Sequence, residues 1–331
     1  MIQGQIIKIH SDFYYVLSND ILVECKLREV LKKQQRKIYV GDFVEYENGY
    51  ITKQLPRKNS IQRPSVANID QIVIVSAIEQ PHLDFSQLDR YIAFAENSNI
   101  EIKLCFNKDD LTKDSKVIKQ IKQTYEPMGY EVVFTSALKK KGINEFKKIM
   151  MNKTSVLCGS SGVGKSSLLN AINPDFHLKT KSISEKTGRG THTTRHCEIL
   201  QIGVDNTRII DTPGFSNLRF DFLLPWEVGK LFKDIKPYLG ECKFQNCLHQ
   251  TETGCCVKDN LDKIMDTRYS SYNQFVEEAK EYKEKIKYEG IKKESFEKRN
   301  NDKTSVKISA QKRLSSRRRQ KQEIYKEDID E

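Results

Sequence analysis

Gly159-Ser160-Ser161-Gly162-Val163-Gly164-Lys165-Ser166 follows the apolar run Ser155-Val156-Leu157-Cys158 and precedes Ser167-Leu168-Leu169-Asn170-Ala171-Ile172. Strand, glycine-rich loop, helix is the order that a phosphate-cradling loop requires. The glycines let successive backbone N–H groups curl around phosphate oxygens, aided by the positive end of the following helix. In such a loop Lys165 is expected to bridge β- and γ-phosphates and Ser166 to ligate Mg²⁺. Gly159 to Ser167 are therefore candidate nucleotide contacts.

Upstream, Asn107-Lys108-Asp109-Asp110 follows the apolar run ending at Phe106. A carboxylate at Asp110 can accept hydrogen bonds from two donors on the guanine edge, and adenine offers no matching pair. A site built for such donors rejects a base that lacks them. Asn107 is expected to brace the site and the Lys108 stem to lie along the base plane. Taken alone, this tetrapeptide also reads as a polar turn; beside a phosphate loop it favours guanine. Thr135-Ser136-Ala137 follows the next strand-like run, and Ser136 and Ala137 are candidates for a backbone contact to the guanine oxygen.

Downstream, Asp211-Thr212-Pro213-Gly214 follows Arg208-Ile209-Ile210. An Mg²⁺-linked carboxylate (Asp211) and a γ-phosphate-sensing glycine (Gly214) belong in this place. Ser182 to Arg195 is polar and glycine-rich, as a switch loop is. Thr194, with Thr193 as the alternative, is expected to complete the Mg²⁺ shell and so to serve catalysis. Phe215 follows Gly214, where a glutamine orients the attacking water in Ras-like sites. Phenylalanine cannot do this, so slow intrinsic hydrolysis aided by another residue or a partner is expected. His192 is a candidate for positioning that water, beside its plainer reading as a solvated loop histidine. In chain order the base-reading motifs precede the phosphate loop, the reverse of the usual arrangement, which implies a circularly permuted GTPase. The order also leads from Asp211 straight out of the domain, and the segment that follows is expected to report nucleotide state to a partner.

The flanks predict two further domains. Gly4–Ile9, Phe13–Leu17, Ile21–Cys25, Val40–Tyr46 and Tyr50–Thr52 are short aromatic and β-branched runs, with Asn48-Gly49 as a hairpin signal. Five strands in so short a span predict a small barrel of oligonucleotide-binding (OB) type; strand count alone leaves an SH3-like barrel open. From Gln71 onward, apolar runs alternate with helical stripes, as in a parallel α/β sheet. Beyond about residue 221 the chain reads as mainly helical, with a stripe from Asn260 to Tyr288. The expected division is an OB-type barrel at 1–66, a permuted P-loop GTPase domain at 67–220, a helical zinc-binding domain at 221–290 and a basic tail at 291–331, expected to be disordered or helical only on binding.

Four of the eight cysteines crowd between 242 and 256. Cys242-x4-Cys247-x-His249-x5-Cys255 places three thiolates and an imidazole within fourteen residues, a set suited to a closed tetrahedral structural zinc. Cys256 leaves the last ligand ambiguous; Cys255 is preferred. Such a cluster reads as metal binding rather than as a disulfide framework. The chain has 331 residues and a net charge of +11, which points to a polyanionic partner. Residues 280–331 alone carry 17 Lys/Arg against 11 Asp/Glu. No apolar run approaches a membrane span and no secretory signal opens the chain, so a cytoplasmic, membrane-free protein is expected.

Together these features resemble the ribosome small-subunit-dependent GTPase A family, the bacterial circularly permuted GTPases known as RsgA. The resemblance covers about residues 1–290. It rests on the barrel, Arg63-Pro64-x3-Asn68-x-Asp70-Gln71, the permuted motif order, Gly188-Arg189-Gly190-Thr191-His192-Thr193-Thr194-Arg195 and the Cys/Cys/His/Cys spacing. It implies a factor for late maturation of the small (30S) ribosomal subunit. Such a factor binds 16S rRNA through barrel and zinc domain, hydrolyses GTP when the subunit stimulates it, and works as a monomer alongside other assembly factors. The tail beyond 291, with Arg317-Arg318-Arg319, exceeds what the resemblance requires. Two other readings stay in view: an RNA-binding adaptor holding GTP without turnover, and a permuted GTPase of the large subunit.

Overall fold

The computed structural model describes residues 1–33, 37–62, 64–112, 114–176, 197–202, 206–211, 218 and 223–289, together with two-residue strands at 297–298 and 304–305. Contacts divide the chain into two compact units, Met1–Leu218 and Arg219–Glu331.

The first unit begins with β1 (Ile2–His10), β2 (Phe13–Ser18) and β3 (Ile21–Leu27), a short helix α1 (Glu29–Lys33), then β4 (Phe43–Glu47) and β5 (Tyr50–Gln54). Period-2 alternation turns Ile6, Val16, Cys25, Val44 and Ile51 inward, where they form one core. β1 pairs with β2 and β2 with β3; β3 runs parallel to β5, β5 pairs with β4, and β4 returns to β1. This ring has the OB-type order, which resolves the ambiguity left by strand count.

A hairpin of β6 (Ser60–Gln62) and β7 (Ser65–Ala67) leads into the α/β part. It comprises β8 (Gln71–Ala77), α2 (Phe85–Asn97), β9 (Glu101–Asn107), α3 (Ser115–Tyr125), β10 (Glu131–Phe134) and α4 (Ile143–Met150). β11 (Thr154–Cys158), α5 (Lys165–Ile172), β12 (Glu198–Gln201) and β13 (Arg208–Asp211) complete it. The sheet order is β10-β9-β8-β11-β13-β12. Its strands run parallel except β12, which is antiparallel to β13. Every residue of β8 and β11 is buried, as expected of central strands covered on both faces. Ile72 and Ile74 pack with Leu88 and Tyr91 of α2 and Ile121 and Tyr125 of α3. Val73 and Val75 face Phe146 of α4 and Leu168 and Leu169 of α5.

Strand order reverses between β8 and β11. From β8 the chain steps outward to β9 and β10, then returns across β8 to β11 and on to β13. Open α/β sheets bind ligands outside the carboxyl ends of their strands at such a switch point. Gly159 leaves the end of β11 and Asn107 closes β9, so the two motif halves meet there.

In the second unit, 3₁₀ turns at Pro225–Leu231 and Lys236–Tyr238 precede α6 (Cys256–Asp259), another 3₁₀ turn at Leu261–Lys263 and the long α7 (Asp266–Glu289). The stripe expected from Asn260 therefore starts later. Ile264 is extended (φ −114°, ψ 126°) and breaks the helix before Asp266. Tyr272, Phe275, Val276 and Ala279 form the buried face of α7. Arg268, 1% exposed, grips Asp234 with two hydrogen bonds (3.1 and 2.9 Å) and lies 4.6 Å over the Phe232 ring. The paired charge and stacked guanidinium account for an arginine in that core. No helix among the described residues is long and apolar enough to cross a membrane.

Candidate functional site

The phosphate loop adopts a backbone that its glycines permit. Gly159, Gly162 and Gly164 have φ of 142°, 82° and 96°. A Cβ on Gly164 would stand 2.3 Å from Asn107 Nδ2, and one on Gly159 would stand 2.0 Å from the Val75 carbonyl oxygen. Lys165 Nζ donates to the carbonyls of Gly159 (2.7 Å) and Ser160 (3.0 Å), folded over the loop it would turn outward to serve a phosphate. Ser166 lies in the first turn of α5. Asp211 is level with Leu157 in the β11–β13 ladder, so the end of β13 stands beside the start of the loop.

Asn107 ties the two halves together. Its buried amide donates to the Val163 carbonyl (2.9 Å), while its Oδ1 accepts from the Thr135 hydroxyl and the Ala137 N–H, each at 3.2 Å. Ser136 donates its hydroxyl to Asp110 Oδ1 (2.5 Å) and accepts from Lys139 N–H (3.0 Å), which aims the carboxylate from behind. Lys108 sits at φ 63° with its ammonium on the Gln80 carbonyl. Burial lowers its pKa from the ordinary lysine value. Asp109 turns away from Asp110 to pair with Lys141. Asn107, Asp110, Ser136 and Ala137 are thus brought together, against the loop of Gly159–Ser166. A cleft of about 660 Å³ between β10 and α4 lies elsewhere. Its Lys103, Lys141 and Lys153 are committed to Glu101, Glu131 and Asp109.

His192, Thr194 and Gly214 lie outside the described residues, as does the side chain of Asp211 and the tail from about 291, apart from its two short strands. Two residues with no motif also touch this region. Tyr91, 2% exposed on α2, places its hydroxyl 3.2 Å from Ser160 Oγ; burial, its leading cause, pushes its pKa up to about 12. The preceding Arg90 donates to the carbonyl of Leu218 (3.3 Å). In the sequence Tyr91 reads as one more apolar stripe residue. The only local signal was a hydroxyl on a core-facing position, which needs a partner when buried.

Gly164→Ala tests this arrangement. A side chain at φ 96° carries about 1–2 kcal/mol of strain and also displaces Asn107. GTP affinity by calorimetry is expected to fall about tenfold or more, with the melting temperature lowered by a few degrees through the same strain. Unaltered affinity would show that the loop does not hold the nucleotide.

In the second unit, Cys242, Cys247, His249 and Cys255 bring their donor atoms within 4.8 Å of one another. His249 Nδ1 lies 3.4 Å from the sulfurs of both Cys242 and Cys255. Tetrahedral zinc with ordinary Zn–S and Zn–N bonds has edges of about 3.5 Å, so the donors suit that ion. Burial holds the His249 pKa down, in the neutral form a metal needs. Burial and neighbouring thiols push Cys247 up to about 12 in the metal-free chain, and a bound cation reverses that preference. Tyr269 and Tyr272 donate to the carbonyls of His249 (2.7 Å) and Leu248 (2.9 Å), fixing the ligand loop on α7. Glu252 accepts backbone N–H bonds from Leu248, Gln250 and Thr251. Cys256 is turned to the Glu241 carbonyl (2.9 Å), outside the four.

Strands joined in this order make a P-loop GTPase domain whose chain begins at the base-reading half: a circularly permuted GTPase. The family described as "RsgA GTPase" matches residues 54–221, and that described as "RsgA N-terminal domain" matches residues 3–53. The chain belongs to the RsgA GTPase family. It is 39% identical over 289 residues to the small ribosomal subunit biogenesis GTPase RsgA of Alkaliphilus metalliredigens (strain QYMF), spanning 85% of this chain and 98% of that protein. With the protein of the same name from Bacillus pumilus (strain SAFR-032) it shares 40% over 297 residues, 86% and 99% of the two chains. Among solved structures, YjeQ from Thermotoga maritima is similar with a TM-score of 0.72 at 33% identity, covering 84% of this chain and 98% of that one. YloQ, a circularly permuted GTPase, gives 0.69 at 34%, covering 85% and 96%.

Proposed function

We propose that the chain is a GTP hydrolase that assists late maturation of the small (30S) ribosomal subunit, with slow intrinsic turnover that the subunit stimulates. The meeting of the guanine bracket (Asn107, Asp110, Ser136) and the phosphate loop at one switch point carries the GTPase part. The names of its relatives support the ribosomal part. In this reading Asn107, Lys108, Asp109, Asp110, Ser136 and Ala137 hold the base, with Asp110 reading it. Gly159 to Ser167 cradle the phosphates, and Asp211 and Gly214 sense the γ-phosphate. Ser166, Thr194 and Asp211 hold Mg²⁺, which neutralises charge developing on the phosphates during transfer. His192 is the candidate for orienting the attacking water, since Phe215 cannot, and Thr194 serves catalysis through Mg²⁺. Cys242, Cys247, His249 and Cys255 hold one structural zinc with no open position for chemistry.

The partners in this reading are the small subunit, its 16S rRNA and other assembly factors, met by a cytoplasmic monomer. The division 1–66, 67–220, 221–290 and 291–331 assigns rRNA contact to the barrel and the zinc module. A GTPase assay of the full chain, alone and with small or large subunits, tests this. Turnover is expected to rise steeply with small subunits only, as for other GTPases whose site a partner completes. Equal stimulation by large subunits would point to the other particle, and no stimulation by either would favour an adaptor that merely holds GTP.

A further inference from the structure

β1 serves two cores at once. Its first half, Ile2–Gln5, pairs with β4 and closes the barrel, whereas Lys8 pairs with Glu198 of β12. The β1–β2 ladder shifts register between Ile6 and Lys8, and such bulges re-aim side chains. Ile6 lies in the barrel core. Ile7 packs against the α/β core that contains Ile199 and Ile210, and Ile9 packs against both.

Polar contacts follow the same seam. Lys8 Nζ is 3.1 Å from Glu198 Oε2. Arg208 of β13 donates to Gln5 Oε1 (2.5 Å), while the buried Gln5 amide donates onward to the Gly41 carbonyl of the barrel (3.2 Å). β12 begins just after the Thr191–Arg195 segment. In register, Glu198 faces Lys8 on one side and Asp211 on the other. The barrel is therefore hydrogen-bonded to both strands that adjoin the γ-phosphate-sensing motifs.

We infer that β1 couples the barrel to the nucleotide site, with Gln5, Lys8, Glu198 and Arg208 as positioning residues. RNA held by the barrel and the γ-phosphate held beside β12 and β13 bias the same strands, so each ligand changes the affinity for the other by the same factor. Lys8 and Glu198 are 39% and 40% exposed; a pair so open to water adds little to stability, which suits a contact that tunes rather than holds. The inference rests on the proposed binding of ribosomal RNA by the barrel.

The test uses full-length protein and purified small subunits. Subunit affinity is measured with GDP and with a non-hydrolysable GTP analogue, and their ratio is the coupling. For the unaltered chain a ratio in the usual allosteric range, about 5- to 150-fold, is expected. Lys8→Ala and Glu198→Gln should each reduce that ratio about threefold or more, of the size seen for substitutions along coupling networks. Analogue affinity without subunits and the melting temperature should stay put. The reversed pair, Lys8→Glu with Glu198→Lys, should recover part of the ratio. A merely structural seam would instead weaken subunit binding equally with both nucleotides, and that result overturns the inference, as does an unchanged ratio in both single variants. Failure of the unaltered chain to bind subunits at all would refute the functional reading itself.

Discussion

Asp110→Asn is expected to lower GTP affinity by about 10²- to 10⁴-fold, through loss of two charged hydrogen bonds of about 1.5–3 kcal/mol each. The carboxylate is acceptor-only and is aimed by the Ser136 hydroxyl at 2.5 Å. Guanine presents two donors to it. The amide keeps one acceptor and adds a donor, a pattern that matches xanthine, whose 2-position carries oxygen instead of an amino group. XTP should therefore bind the variant better than GTP does, an inversion that general damage to the fold cannot produce. Competition against a fluorescent guanine nucleotide measures both. GTP binding at the unaltered level would remove Asp110 from base recognition.

Cys247→Ser is expected to cost the second unit its fold. Closing a structural zinc site supplies about 10–16 kcal/mol of apparent binding free energy, as much as the whole stability of an ordinary domain. Zinc by elemental analysis should fall from about one per chain to a small fraction, with loss of near-ultraviolet signal from Tyr269 and Tyr272. Nucleotide affinity should change little, because the phosphate loop and base bracket lie in the separate unit Met1–Leu218. Cys256→Ser is the control: its thiol is turned to the Glu241 carbonyl, and zinc content should hold. Zinc lost with Cys256→Ser but retained with Cys255→Ser would reassign the fourth ligand.

What could be read in advance was what chemistry constrains locally. Gly164 must be glycine because its φ is 96° and Asn107 crowds its Cβ position, so the loop announces itself. Alternation in β1 to β5 gave the barrel, but only the pairing of β3 with β5 told OB-type from SH3-like. β12 escaped notice because Glu198-Ile199-Leu200-Gln201 is short and half polar; it is a strand because β13 lies beside it and β1 beyond. The role of Ser136 behind Asp110, and of Tyr91 behind Ser160, depends on side chains meeting across elements, which no local pattern encodes. The start of α7 shifted from Asn260 to Asp266 because Ile264 takes an extended backbone that the apolar stripe did not foretell.

The dual membership of β1 also sets a timetable. Its barrel partners all lie within the first 54 residues, so the barrel can close while most of the chain is still unmade. Glu198 follows Lys8 by 190 residues, which at about 5–20 residues per second takes roughly 10–40 s to synthesise. During that interval the outer edge of β1 at Lys8 has no strand beside it. A lysine on an open edge discourages pairing with foreign chains. Lys8 therefore guards the growing chain before Glu198 exists to meet it.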